Sequence, residues 1–497
     1  MDGPWPSSPV KAPRAAALGS GVLIGTASGL VAGAVVLLVL DGPSVPAVTM
    51  IVVAGMLGAG HTALFRTVLR RHVWAAGCGL LVGVVVAASM FVLYRSNRVA
   101  EVWAAPQDRP GAPQAVGAWD TPDLVVRARP DLVTAYRSGD GAVAWTWAPP
   151  GRDTVCAMSS TTHDGLGLIG HASGTKPCAA TAALDLREGT TRWAHVDEDP
   201  DLFSFEPFAR SLALAGDIAI VRHAQGWRGL SAADGRKLWH VDGGEECSPD
   251  FVDAVPGSAV AVTHCPSGPQ AARTEAWRLD PDTGDVVTRT ALPVEENLTR
   301  YAVVSADPLA LWVGESAARG TRAVLVIDGS GAVRTTIPAE TDDYELLVES
   351  LGDYGPATFE ARPEPAAVVV GGLLIAPGVK PDDRRVASDR NGVSVSYAGR
   401  LVAISLEDGA RRWISDVDGR TRGITVSEGS LWVLLGRELL RLDPADGRHI
   451  RTLTTYDLDH TRPVRLAVHG DRYLVVAEDG TGPTPPVRAL RPDFVVF

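Results

Sequence analysis

The plainest chemistry in this chain of 497 residues belongs to its five cysteines. Four fall in two close sets, Cys156 with Cys178 and Cys247 with Cys265, while Cys78 lies in an apolar run. A zinc site would need Cys-x-x-Cys or His-rich spacing to bring four donors onto one ion, and neither occurs. The even number and local spacing point instead to two disulfides, neighbour pairing being preferred over the two other connectivities. Cys78 reads as a small apolar packing residue. Two acidic segments could offer oxygens to calcium. HVDEDPDLF, with His195, Asp197, Glu198, Asp199 and Asp201, lacks the glycine and regular ligand spacing of a calcium loop and reads as a solvated loop. DPDTGD, from Asp280 to Asp285, reads as a turn, because it coincides with a repeated turn whose other copies lack the full set of acids. No G-x-S-x-G elbow, P-loop, H-E-x-x-H or dinucleotide fingerprint occurs, and the eleven histidines are scattered. No catalytic, metal-binding or cofactor-binding residue is therefore assigned. Asn297-Leu-Thr is a glycosylation sequon by pattern only, idle in a chain whose Ala/Gly/Arg-rich composition looks bacterial.

The elements that would position such groups repeat. LVAISLEDGARRW, from Leu401 to Trp413, is a strand, a tight turn and the start of a second strand; related copies end at Trp145, Trp193 and Trp239. Three more copies, around Gly284, Gly331 and Gly447, carry Thr288, Thr335 and Arg451 in the tryptophan slot, where looser packing is expected. Glycine supplies the positive φ that a short hairpin turn needs, so each copy is a β-hairpin. The run before the turn is apolar at nearly every position, which means that both faces of the strand are covered. The turn glycines 141, 189, 235, 284, 331, 409 and 447 are separated by 48, 46, 49, 47, 78 and 38 residues. Most of these steps match the roughly 40–50 residues of one four-stranded propeller blade.

An apolar strand ending in Ala-Leu-Asp or similar, then a glycine turn, then tryptophan resembles the repeat of PQQ-like (pyrroloquinoline-quinone-type) β-propellers, from about Leu124 to the C-terminus. The resemblance implies that Trp145, Trp193, Trp239 and Trp413 pack between blades in the core. Cofactor-using members hold the quinone with adjacent cysteines and a calcium ion; this chain has no Cys-Cys pair, so no cofactor is expected. The expected fold is an all-β propeller of seven blades, with eight as the alternative. The 78-residue step reads as one blade carrying a long insertion, a hidden eighth blade being the other reading. C-terminal strands joining the first hairpin would close the ring and remove its exposed edges.

Residues 1–100 carry seven Lys or Arg against two Asp, which leaves 39 basic and 56 acidic residues for the remainder. An acidic body without a basic stripe argues against nucleic acid as a partner. Three apolar runs, about 15–40, 47–65 and 73–94, each approach the ~20 residues of a membrane span and predict three transmembrane helices. Gly21, Gly25, Gly29 and Gly33 line one helix face for close packing, and His61 reads as an interfacial histidine. Lys11, Arg14, Arg66, Arg70 and Arg71 place the N-terminus and second loop inside, Arg95 and Arg98 pulling weakly the other way.

The expected organisation is a cytoplasmic tail (1–14), three spans within 15–94, a Pro/Ala-rich linker (95–120) and an extracytoplasmic propeller (121–497). In this reading the protein is a multi-pass protein of the cell membrane, embedded through residues 15–94. The expected function is a non-catalytic binding or scaffold module for a protein, peptide or glycan on a propeller face. Alternatives are a quinoprotein-like oxidoreductase with its site in the channel, and a ligand sensor.

Overall fold

The computed structural model describes residues 22–32, 34–35, 50 and 54. From Val73 to Pro492 it describes all but 174–177, 179, 197–210, 224–225, 244–246, 266–272, 295–298, 316–318, 349–364, 382–384, 390–391, 397–398, 456–463, 479 and 481–484. Two compact units result, Met1–Arg98 with Pro492–Phe497, and Val99–Arg491.

In the first unit, residues 22–32 and Val73–Ser96 are helical. At Gly29 and Gly25 the glycine face meets the second helix: a Cβ on Gly29 would strike Ala87, and one on Gly83 would strike the backbone of Val22, Gly25 and Thr26; Gly21 and Gly33 lie outside the described residues. Among the described residues no helix is long and apolar enough to cross a membrane, which overturns the expectation of three transmembrane helices. Apolar, glycine-rich runs are what close helix–helix packing requires, so apolar length alone did not identify a span. Cys78, expected to be a packing residue, is exposed. His61 and most of the first two apolar runs lie outside the described residues.

The second unit is all β. Its strands form eight blades, correcting the expected seven: seven sheets have four strands and one has five. Blades 1 to 5 are consecutive antiparallel meanders with strands between Gly117–Asp120 and Val333–Pro338. Blade 6 spans the 78-residue step and is a single blade. Its strands Leu373–Val379 and Gly399–Ser405 pair directly, while Arg385–Asp389 and Gly392–Ser396 form a separate inserted hairpin between them. Blade 7 holds the strands from Gly423–Ser427 to His449–Thr454. The eighth blade joins the two ends of the unit: Val464–His469, Arg472–Ala477 and Val487–Pro492 are completed by Val99–Ala104, a strand from inside the expected linker.

The core is divided among the seams. Among the described residues eight buried apolar clusters occur, and each draws on two neighbouring blades, from Trp119 and Ile169 between blades 1 and 2 to Val476 and Val125 between blades 8 and 1. Two-sided burial of strands such as Ser430–Leu434, buried at every position, follows.

A repeated contact sets the seam spacing. Each turn glycine from Gly141 to Gly447 has φ between +70° and +85°, and most sit over the outer strand of the preceding blade. A Cβ on Gly235 would stand 2.8 Å from Trp193, and one on Gly284 2.7 Å from Trp239. The indole N–H completes the contact. Trp145 donates to Leu186 O at 2.8 Å, Trp193 to Ala232 O at 2.7 Å, Trp239 to Pro281 O at 2.8 Å and Trp413 to Pro444 O at 3.0 Å. Trp103 of the first strand does the same beneath Gly141, donating to Ser138 O. In the weak copies Thr288 lies under Gly331 while Thr290 donates to Gly331 O, and Thr335 donates to Glu407 O. Arg451 needs no such partner turn, because blade 8 reaches its outer strand through the chain ends rather than through a hairpin.

Trp193→Ala should therefore cost about 3–5 kcal/mol, the range for a large aromatic removed from a core, against about 1 kcal/mol for the single hydrogen bond lost in Thr335→Ala. Denaturant titration of the two variants checks this. Equal costs would contradict the seam contact.

Candidate functional site

The first strands of the blades line the axis, and the polar groups there are tied to one another. Asp120, ending the first strand of blade 1, is paired with Arg465 of blade 8 and lies 3.4 Å from His469. Arg465 also donates to Ala118 O at 2.6 Å. Ser160 of blade 2 donates to Asp253 of blade 4, a bond that skips blade 3 and so runs close to the axis. These carboxylates are ion-paired or hydrogen-bonded in ways that brace blades against each other.

The turns of the repeat leave one face of the ring, and the longer connections between second and third strands leave the other. On the turn face, Asp280 Oδ1 accepts from the N–H groups of Asp282 and Thr283, and Thr283 Oγ1 donates to Asp285, so DPDTGD is a turn held by its own acids. Hydrogen bonding by Ser330 holds Asp328 below the usual carboxylate range, and the Ala410 N–H does the same for Asp408. A groove of about 820 Å³ opens between blades 1 and 2 on this face, walled in part by Asp123, Arg137, Asp140 and Arg187. Arg137 and Asp140, three residues apart in one turn of its wall, neutralise one another at 3.0 Å.

The opposite face gathers what the sequence scatters. Both disulfides are present, Cys156–Cys178 in blade 2 and Cys247–Cys265 in blade 4, on either side of blade 3. Cys156 is the extra residue of a β-bulge between Val155 and Ala157, which turns its side chain toward Cys178. Gly170 leaves room for the sulfur, since a Cβ there would lie 2.6 Å from Cys178 Sγ. Between the two bridges, in the seam of blades 2 and 3, His195, Arg228, His240 and His223 converge. Alternation along the strand explains the meeting. Trp193 faces blade 3, so His195, two residues on, faces it too; Trp239 faces blade 4, so His240, one residue on, faces back toward blade 2. Arg228 Nη1 contacts His195 Nε2 at 3.3 Å, and because a guanidinium only donates, that nitrogen is the acceptor of a neutral ring. Arg228 pairs with His240 across neighbouring strands, His240 lies 2.7 Å from Asp242, and the His223 and His240 rings meet edge-on at 5.2 Å. In the next seam His171 is buried against Trp147 and bonded to Asp153 at 2.7 Å.

The four disulfide cysteines were thus legible from the sequence. Of the acid-rich segment only His195 and Val196 are described; Asp197, Glu198, Asp199 and Asp201 lie outside the described residues, as does Asn297. Among the described residues no group of three or more His, Cys, Asp or Glu could hold a metal ion. The histidine cluster was missed because its members belong to different blades. A signal was present: His195 and His240 stand two and one residues beyond equivalent tryptophans, the offset that turns them toward a shared seam.

Residues 365–482, in blades 6 to 8, match a PQQ-type repeat family described as outer membrane protein assembly factor BamB. No curated protein matches the chain. Among solved structures the chain is similar to BamB from Moraxella catarrhalis, at 16% identity and TM-score 0.45, over 79% of this chain and 99% of that one. It is also similar to a quinohemoprotein alcohol dehydrogenase from Comamonas testosteroni, at 10% identity and TM-score 0.46, over 82% and 78% of the two chains. Saccharomyces cerevisiae Sqt1 is similar at 10% identity and TM-score 0.45, over 79% and 98%.

Each disulfide closes a local loop, of sequence separation 22 and 18. Replacing Cys247 and Cys265 together by serine should lower unfolding stability by about 2–4 kcal/mol, read from chemical denaturation. A change below about 0.5 kcal/mol would show that the bridge does not hold blade 4.

Proposed function

We propose that this PQQ-like propeller is an extracytoplasmic, non-catalytic binding module that holds an acidic segment of a partner protein against the connection-bearing face of blades 2 to 4. The observation carrying this reading is that two disulfide-fixed connections flank one polar seam containing Arg228 and three histidines. Fixing a loop covalently on both sides of a half-buried polar seam that carries the Arg228 guanidinium favours contact, because less conformational freedom is lost when a partner binds. Two disulfides also favour an oxidising compartment over the cytosol.

Photo-crosslinking in intact cells tests the reading. A crosslinking residue at Val196, exposed beside His195, should capture one discrete partner, and Arg228→Glu should abolish that capture; the same residue at Ser330, on the turn face, should not capture it. Capture only from Ser330 would place the interface elsewhere. Purified full-length chain with added quinone and calcium should show no dye-linked oxidation, and robust turnover there would favour the oxidoreductase instead.

A further inference from the structure

The seam between blades 8 and 1 contains a cluster of three arginines and two aspartates. After the strand Val99–Ala104, the chain turns back along this seam: Ala105 N–H donates to Val487 O at 2.8 Å, Asp108 N–H to Gly480 O at 2.8 Å and Ala115 N–H to Glu478 O at 2.9 Å. This strap carries Asp108 into the seam, where its carboxylate meets Arg127 at 2.9 Å and Arg129 at 2.7 Å. The three side chains are 8%, 2% and 9% exposed. Arg127 is fully engaged, its Nε donating to Ala477 O and its Nη2 to Glu478 O. Arg129 reaches Asp131 at 3.1 Å, and Asp131 is shared with Arg109 at 2.6 Å.

A cavity of about 250 Å³ adjoins these groups, lined by Asp108, Arg109, Arg127, Arg129, Thr134 and Tyr136 among others. Three guanidinium groups, that of Arg109 being 69% exposed, thus face it against two carboxylates, Asp108 in the lining and Asp131 beside it. Burial pulls Arg127 below its usual value against the opposing pull of Asp108, and burial pushes the Tyr136 phenol up, so that Tyr136 stays a neutral O–H donor. The wall is rich in donors and poor in acceptors. Its volume exceeds the ~30 Å³ of one water several-fold, yet is below the roughly 300–1,000 Å³ typical of drug-sized ligands.

We infer that this cavity binds a small oxyanion, a phosphate or a short carboxylate, through Arg129, Arg109 and the hydroxyls of Tyr136 and Thr134, and that the bound anion strengthens closure of the ring. Forked guanidinium groups match such oxyanions geometrically, and an anion there balances the one guanidinium that Asp108 and Asp131 leave in excess. Because Asp108 reaches the seam on the strap, an anion shared by Arg129 and Arg109 clamps that strap onto blade 1.

Calorimetric titration of full-length protein with inorganic phosphate, and separately with acetate, tests the site, with chloride at matched ionic strength as control. Saturable binding of one equivalent of either oxyanion is expected, with a melting temperature that rises with the logarithm of its concentration. Which of the two binds distinguishes phosphate from carboxylate as the ligand. Arg129→Gln should weaken binding at least about tenfold, as loss of a charged hydrogen bond does. Tyr136→Phe, which removes one hydroxyl and leaves the ion pairs intact, should weaken it about three- to tenfold without lowering stability in the absence of anion. Stabilisation by chloride equal to that by phosphate and acetate, or unchanged affinity in Tyr136→Phe, would overturn the inference.

Discussion

One contact organises the ring: a turn glycine laid over the tryptophan of the preceding blade, with the indole N–H donating into the same turn. It explains why two residue types so far apart in size repeat together. The glycine is needed twice, for its positive φ and because a Cβ would occupy the space of the indole, as at Gly447, where it would lie 2.6 Å from Trp413. The tryptophan is needed because only a large flat side chain fills the seam and still carries a donor at its edge. Neighbouring blades are thereby set at one spacing, and each seam then buries its own apolar cluster. A propeller held this way resembles a chain of nearest-neighbour interfaces, so its weakest seams set where it opens.

The repeat also accounts for its own exceptions. Threonine replaces tryptophan where Gly331 and Gly409 approach, and its hydroxyl or that of a neighbour keeps the hydrogen bond into the turn while giving up the ring. Arg451 holds the one slot that faces a blade without a repeat turn. Although blade 8 is assembled from both ends of the unit, its seam with blade 1 keeps the shared contact, Trp103 under Gly141, and adds the buried Asp108, Arg127 and Arg129. Ring closure therefore combines an apolar clamp with a desolvated ion cluster, which is costly unless its hydrogen bonds are complete.

Most of the propeller was legible because hairpin chemistry is local. The spacing of glycine and tryptophan revealed seven blades and the apolar strands between them, and the spacing of Cys156, Cys178, Cys247 and Cys265 revealed both disulfides. The eighth blade was hidden because its outer strand, VAEVWA, precedes the repeats by sequence and follows them in space. Its tryptophan lacks the turn that marks the others. The histidine seam was hidden for a related reason: which side chains meet across blades depends on strand phase, and phase becomes informative only once the blades are placed. The three apolar runs misled because close helix packing and membrane crossing draw on the same small and apolar residues.

The central claim is that the chain closes its ring with the same glycine–tryptophan contact that joins the other blades, and Trp103 tests it most directly. Equilibrium unfolding of Trp103→Ala should show a loss of about 3–5 kcal/mol, as for a core aromatic, with the transition remaining cooperative. A loss below about 0.5 kcal/mol, as for a surface residue on a tether, would contradict the account.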